Sequence, residues 1–487
     1  MASMDSPFNR RQLLSRAACG FGSVALAGLL GKQGLFAQGR PGGAGRSHGA
    51  VRSSLAPKLP HFAPRVKRVI FLFMQGGPSQ IDTFDYKPRL FESDGKDIDF
   101  VGVRFDTFGK ASKRKLMRPL WNFKRHGECG QPVSELFPHV ARHVDQLCFL
   151  HGLQTEGVAH GPSTLFLHTG ATNLVRPSMG SWITYGLGTE NENLPGFVTI
   201  SPSATKGGPR NYANGFLPTV YQGTTIGAAG FPARGASLPH LKDLRGSAAS
   251  EQRDFRLLQA LNRAQLDVSG PDDRLEATIE SFELAYRMQM HAPGVLDLAN
   301  ETRETLELYG IDEGPTDDFG RQCLMARRLA EAGVRYIQVN YADESVTPRW
   351  DQHSDMPKHA VHALATDKPV AGLLADLKRR GLLDDTLLWW GGEFGRTPFA
   401  QGRNGRDHNP RGFTVWLAGG GVRPGISYGA TDDIGHRAVE GKVHMHDLHA
   451  TILHLLGLDH EDLTFRHAGR DFRLTDVAGR VVDEILL

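Results

Sequence analysis

The chain has 487 residues, 40% hydrophobic and 22% charged, which excludes a disordered chain, a coiled coil and a polytopic membrane protein. Its formal charge of +3 hides an asymmetry: no acidic residue lies between Ser6 and Ile81, whereas 11 Lys or Arg do. From Val69 onward 45 basic residues face 52 acidic ones, and no Lys/Arg stripe is interleaved with aromatics, so nucleic acid is excluded as the main partner.

In chain order, Arg10-Arg11 precedes an apolar, Gly- and Ala-rich run from Ala17 to Gly31. The run is too short and weakly hydrophobic for a stable membrane span. It resembles a twin-arginine export signal, residues 1–37, with a small residue, Ala37, at the cleavage point. The alternative is a basic cytoplasmic arm. Export would place the mature chain in the periplasm or outside the cell. Residues 38–64 read as a flexible linker and 65–487 as the body. Of four cysteines, Cys19 lies in the signal, so Cys129, Cys148 and Cys323 allow at most one disulfide.

The run Val69–Met74 is continuously apolar and stops at Gly76-Gly77-Pro78, as a strand buried on both faces does. Runs at 147–150, 197–200, 335–339, 386–390 and 413–417 repeat the pattern. Helical periodicity over 317–332, 359–380 and 446–456 alternates with them. This predicts an α/β fold with a mostly parallel central sheet flanked by helices. Residues 202–290 read as an insertion, irregular to about 250 and helical from 251.

Ligands of open α/β sheets sit beyond the carboxyl ends of strands. There the sequence places Asp82, His160 with Ser163 and Thr164, Asp351 with His353, and Glu393 with Arg396, and Asp407-His408 comes just before the 413–417 run. Carboxylates and imidazoles without thiolates suit zinc, manganese, magnesium or calcium. Each residue also has a structural reading. Asp82 and Ser163 can cap helices, Asp351 and His353 can belong to a surface loop, and Asp407-His408 can form a turn. Asp355 and His359, four apart, form a competing pair. There is no G-x-S-x-G, H-E-x-x-H, P-loop or G-x-G-x-x-G.

The order of Gln75-Gly-Gly-Pro-Ser-Gln-Ile-Asp82, Trp350-Asp-Gln-His353, Gly392-Glu-Phe-Gly-Arg-Thr-Pro398, Gly405-Arg-Asp-His408 and Asp447-Leu-His-Ala-Thr451 carries a family resemblance. It resembles a family of exported bacterial proteins of unknown function, a sulfatase-like arm of the alkaline-phosphatase superfamily. The resemblance implies that superfamily's three-layer fold with a metal site at the sheet edge, where Asp82 matches a metal-binding Asp and His408 resembles a late His. Together with the residues read above, Asp82, Asp351, His353, Glu393 and His408 would hold a divalent metal. The resemblance also implies a nucleophile near the start of the segment His160–Gly170, either Ser163 or Thr164, or His160 as base to a water. Arg396 would clamp the anion. The late Asp-His pair of many superfamily members reads Glu393-Phe394 here, and no cysteine or Ser163 has a formylglycine context. The expected function is hydrolysis of phosphate or sulfate esters, on an anionic small molecule or polysaccharide. The alternatives are a non-catalytic extracytoplasmic binding protein and a structural or assembly protein. Expected partners are the substrate and the twin-arginine machinery.

Overall fold

The computed structural model describes residues 53–99, 113–237, 248–270 and 273–487. They belong to one compact unit, Ser53–Leu487. The expected signal peptide, and the expected linker up to residue 52, lie outside the described residues. The remainder of that linker is fastened to the body: Lys58 N–H donates to Leu187 O at 3.0 Å and His61 N–H to Gly457 O at 2.8 Å.

Nine strands form the central sheet. In chain order they are β1 (Arg68–Met74), β2 (Leu147–Gln154), β3 (Phe197–Ile200), β4 (Thr224–Ile226), β5 (Tyr336–Tyr341) and β6 (Thr386–Gly391). A two-stranded hairpin outside the sheet, β7 (Gly395–Gln401) and β8 (Gly405–Asn409), comes next. Then follow β9 (Phe413–Gly419), β10 (Ile426–Tyr428) and β11 (Val443–His444). The sheet order is β10-β2-β9-β6-β1-β5-β3-β4, with β11 also paired to β2. Only β9 runs against the others. The central strands β1, β5 and β6 are buried at every residue, which is why they read as unbroken apolar runs rather than alternating ones.

The main helices are α1 (His160–Thr169), α2 (Met179–Leu187), α3 (Ala248–Ser269), α4 (Asp273–Leu296), α5 (Asp317–Glu331), α6 (Lys358–Arg379) and α7 (Met445–Leu455). Charge complements the helix dipole at two of their ends. Asp317 and Asp318 open α5, and Lys378 and Arg379 close α6 before Gly381 at φ +68°. α5 packs on β5 and β1, and α6 packs on α5. The α/β architecture with a mostly parallel sheet flanked by helices is therefore as the sequence pattern predicts.

Two details differ from the sequence reading. The stretch expected to be irregular supplies β4, parallel to β3 at the sheet edge. The helical stretch after it is two helices, separated at Gly270, whose φ is +76°. The β7–β8 hairpin has no apolar run to announce it, and it carries several of the candidate residues.

Candidate metal centre

The loop after β1 organises the site. Gly76 has φ +106°, and a Cβ there would lie 2.7 Å from the backbone nitrogens of Trp350 and Asp351. Only glycine admits both the left-handed turn and this close approach. The segment after β5 is tied to the same loop. Gln75 Oε1 accepts from Asp343 N–H at 3.1 Å and Gln75 O from Trp350 N–H at 3.1 Å. Asp351 is thereby set at the carboxyl edge of β1. Gly392 follows β6, and a Cβ there would come 2.8 Å from Met74 O. The chain can then tuck Glu393 under the same loop. On the hairpin, Arg396 and His408 are register partners. His160 begins α1.

These elements bring His160, Asp351, His353 and His408 together, with one ligand atom of each within 4.8 Å of the others. One carboxylate oxygen is the focus. Asp351 Oδ1 lies 3.1 Å from His160 Nε2, 2.9 Å from His353 Nε2 and 3.3 Å from His408 Nε2. Arg396 Nη2 reaches it at 2.8 Å.

The far ring nitrogens explain the orientation. His160 Nδ1 meets Glu393 Oε1 at 2.5 Å, and His408 Nδ1 meets the Val158 carbonyl at 2.6 Å. His353 Nδ1 is bonded to Gln401 Oε1. All three partners are oxygen acceptors, so each Nδ1 carries the hydrogen. In the neutral tautomers so defined, each Nε2 presents a lone pair to the same space. The Nε2 atoms of His353 and His408 are only 2.9 Å apart. His160 Nε2 is buried and has no hydrogen bond. Three lone pairs and a carboxylate oxygen repel unless positive charge sits among them. A divalent cation meets that need, and so does an added proton. The donor set of three nitrogens and one oxygen fits a transition-type ion.

Without an ion, protons shared between the rings and Asp351 take the cation's part. Burial works against ionising Asp351, but its contacts with His160, His353, His408 and Arg396 overcome it and hold the carboxyl far below the usual range. Burial also lowers His160, yet Asp351 and Glu393 outweigh it and raise that imidazole above its ordinary value. Burial pushes His408 down to about 4.

Other candidate residues sit differently. Asp82 lies outside the cluster. Its carboxylate accepts from Ser79 Oγ at 2.5 Å, Arg406 Nε at 2.7 Å and Leu120 N–H at 3.1 Å. The Asp82–Arg406 pair is fully buried on both sides. Arg396 is also fully buried. It donates to Gly77 O at 3.0 Å, to Arg406 O at 3.3 Å, to Gly76 O and to Asp351, so it holds the site's frame. Glu393 touches His160 and the Gly76 N–H. Asp407 is buried with Oδ1 3.7 Å from His353 Nδ1. Ser163 and Thr164 have no exposed surface, and their hydroxyls have no hydrogen-bond partner. Ser163 does not cap α1: Ala159 occupies the cap position, and Ser163 N–H donates to its carbonyl at 3.1 Å. Asp355 pairs with Lys358 at 3.5 Å while His359 accepts from Ser79 N–H at 3.2 Å, so these two do not face one partner. Sequence reasoning gave no role to Arg406, Gln401, Gln75 or the Val158 carbonyl. Arg406 lies within the Gly405–His408 motif, but nothing in the sequence ties it to Asp82.

Fold and cluster define an α/β protein with a candidate His/Asp metal centre at the carboxyl edge of its sheet. Residues 66–486 match the family described as "Protein of unknown function (DUF1501)", and the chain belongs to that family. No curated protein matches the chain. Among solved structures, Ps i-CgsB in complex with k-i-k-neocarrahexaose is similar at 12% identity and TM-score 0.36, covering 81% of this chain and 72% of that one. PsFucS1 sulfatase from Pseudoalteromonas sp. is similar at 12% identity and TM-score 0.34, covering 81% and 68%. Alkaline phosphatase from the Antarctic bacterium TAB5 is similar at 10% identity and TM-score 0.33, covering 82% and 100%. At these TM-scores no activity, substrate or metal passes from those proteins to this chain.

Proposed function

We propose that this chain is a metal-dependent hydrolase of phosphate or sulfate esters, with His160, Asp351, His353 and His408 holding one divalent ion. The observation that carries this reading is the convergence of three Nε2 atoms on Asp351 Oδ1, each imidazole locked by an oxygen at its Nδ1. The nitrogen-rich set favours zinc over magnesium or calcium. A bound ion of this kind polarises an ester oxygen and activates a water. Around it, Arg396 anchors Asp351, and α1 starts without a side-chain cap at Ala159, next to His160.

The test is hydrolysis of aryl phosphates, aryl sulfates and sulfated polysaccharides by zinc-loaded protein, beside Asp351→Asn. Turnover that vanishes in the variant supports the reading. Zinc-loaded protein that hydrolyses none of them contradicts it. A second reading, a non-catalytic binding protein, is favoured by the wholly buried Ser163 and Thr164 hydroxyls and by Arg396 having no exposed surface. It predicts that the same esters bind without turnover.

Export by the twin-arginine route to the periplasm or beyond is part of this proposal, resting on Arg10-Arg11 and the weakly apolar run after them. Arg10→Lys with Arg11→Lys should trap the protein in the cytoplasm, and unchanged delivery contradicts the route. Among the described residues no helix is long and apolar enough to cross a membrane.

A further inference from the structure

Building on the metal reading, we infer that Glu393 is a positioning residue for the centre, fixing the tautomer and orientation of His160, and is not itself a ligand. Both carboxylate oxygens are engaged by groups other than the converging ligand atoms. Oε1 accepts from Gly76 N–H at 3.0 Å and from His160 Nδ1 at 2.5 Å, and Oε2 lies 3.2 Å from the same Gly76 N–H. The opposite ring nitrogen, His160 Nε2, faces Asp351 Oδ1 at 3.1 Å. Glu393 is outside the four-residue group whose ligand atoms converge.

The surroundings hold it there. Glu393 has no exposed surface. A Cβ on Gly392 would come 2.8 Å from Met74 O and Pro78 Cδ, so the backbone of this turn is packed against the β1 loop. Among the described residues no Lys or Arg pairs with Glu393; its one ion-pair partner is the His160 ring. A buried carboxylate without a cation is costly. Here its charge is delivered through one imidazole to the point where Asp351, His353 and His408 meet. That arrangement makes His160 a stronger donor to a cation and keeps Nδ1 protonated, so Nε2 stays free to bind.

The test uses the full chain and zinc alone, in competition with a chromophoric chelator, for wild type, Glu393→Gln and Glu393→Ala. Circular dichroism establishes that each is folded. Glu393→Gln keeps an oxygen for His160 and Gly76 but removes the charge. Glu393→Ala removes both. Zinc affinity should fall by about 10–100-fold, more in the alanine variant, with one zinc per chain still bound at saturation. Cobalt spectra should keep a four-ligand signature in the glutamine variant. Nitrogen chemical shifts should show the His160 Nδ1–H tautomer lost only in the alanine variant. Unchanged affinity in both variants overturns the positioning role alone. Failure of the glutamine variant to reach one zinc per chain, or a lost ligand in its cobalt spectrum, makes Glu393 a ligand and overturns the inference. A wild type that takes up no zinc overturns the metal reading and this role with it.

Discussion

Two histidine groups in this molecule are chemically unlike: in the first only His160 is buried, with His353 and His408 partly so, and in the second all three rings are buried. The first is His160, His353 and His408 around Asp351. The second is His168 on α1 with His446 and His449 on α7. His168 packs against Phe71 and Phe73, with ring centroids 5.7 and 5.0 Å away. His446 packs on Phe166 at 4.8 Å and on His449 at 5.8 Å, and His449 Nε2 donates to Leu167 O at 2.8 Å. Burial alone pushes His168 down to about 3. His449 goes to about 3 through burial and then the neighbouring His446, and His446 to about 4 through burial and then His444. Burial by itself makes an imidazole a neutral core filler. The three imidazoles around Asp351 differ in having an oxygen on Nδ1 and a shared carboxylate at Nε2.

The largest expected effect comes from breaking the shared carboxylate. Asp351→Asn should weaken zinc binding by more than about 100-fold, since it removes both a ligand and the negative charge. It also leaves the Arg396 guanidinium without its buried partner, at a cost of about 3–5 kcal/mol in denaturant unfolding. An unchanged zinc titration would place the cation elsewhere.

Asp82→Asn tests the neighbouring buried pair. It should cost about 3 kcal/mol of stability, because Arg406 loses a fully buried counter-charge, while zinc affinity stays within about threefold. Lost zinc with unchanged stability would instead make Asp82 a ligand.

The second histidine group predicts a pH dependence. His168 and His449 are neutral in the fold and titrate near 6.5 when unfolded. Their penalty is absent above about pH 6.5 and grows as pH falls toward about 3, because only the unfolded chain takes up the proton. At pH 5 each costs about 2 kcal/mol relative to pH 7. His168→Gln should flatten the pH 7 to pH 5 slope of denaturant stability by about that amount. A slope equal to wild type contradicts the assignment.

Ser163→Ala gives the smallest effect. Its hydroxyl makes no bond and caps nothing, so stability should change by less than about 0.5 kcal/mol. A large loss of ester turnover in that variant, with the fold intact, would identify the hydroxyl as the nucleophile.

The sheet was legible because its central strands are buried on both faces, and Val69–Met74 or Thr386–Trp390 can only be apolar there. The neighbourhood of the site was legible for a related reason: polar residues just after such strands must gather at the carboxyl edge. Pairings within that neighbourhood were not. Asp82 and Asp351 both follow buried strands, yet one meets Arg406 and the other three imidazoles. The choice is made by the β7–β8 hairpin, whose strands lack an apolar signal and whose register sets Arg396 opposite His408. Nor could sequence tell which nitrogen of His160 faces Glu393, since that depends on the turn at Gly392 closing against Met74.

The most direct measurement is the metal content of the full-length chain, stripped with chelator, reloaded with zinc and analysed beside Asp351→Asn. The account predicts one zinc per wild-type chain and none retained by the variant. Wild-type protein that retains no zinc, or a variant that retains as much, would contradict it.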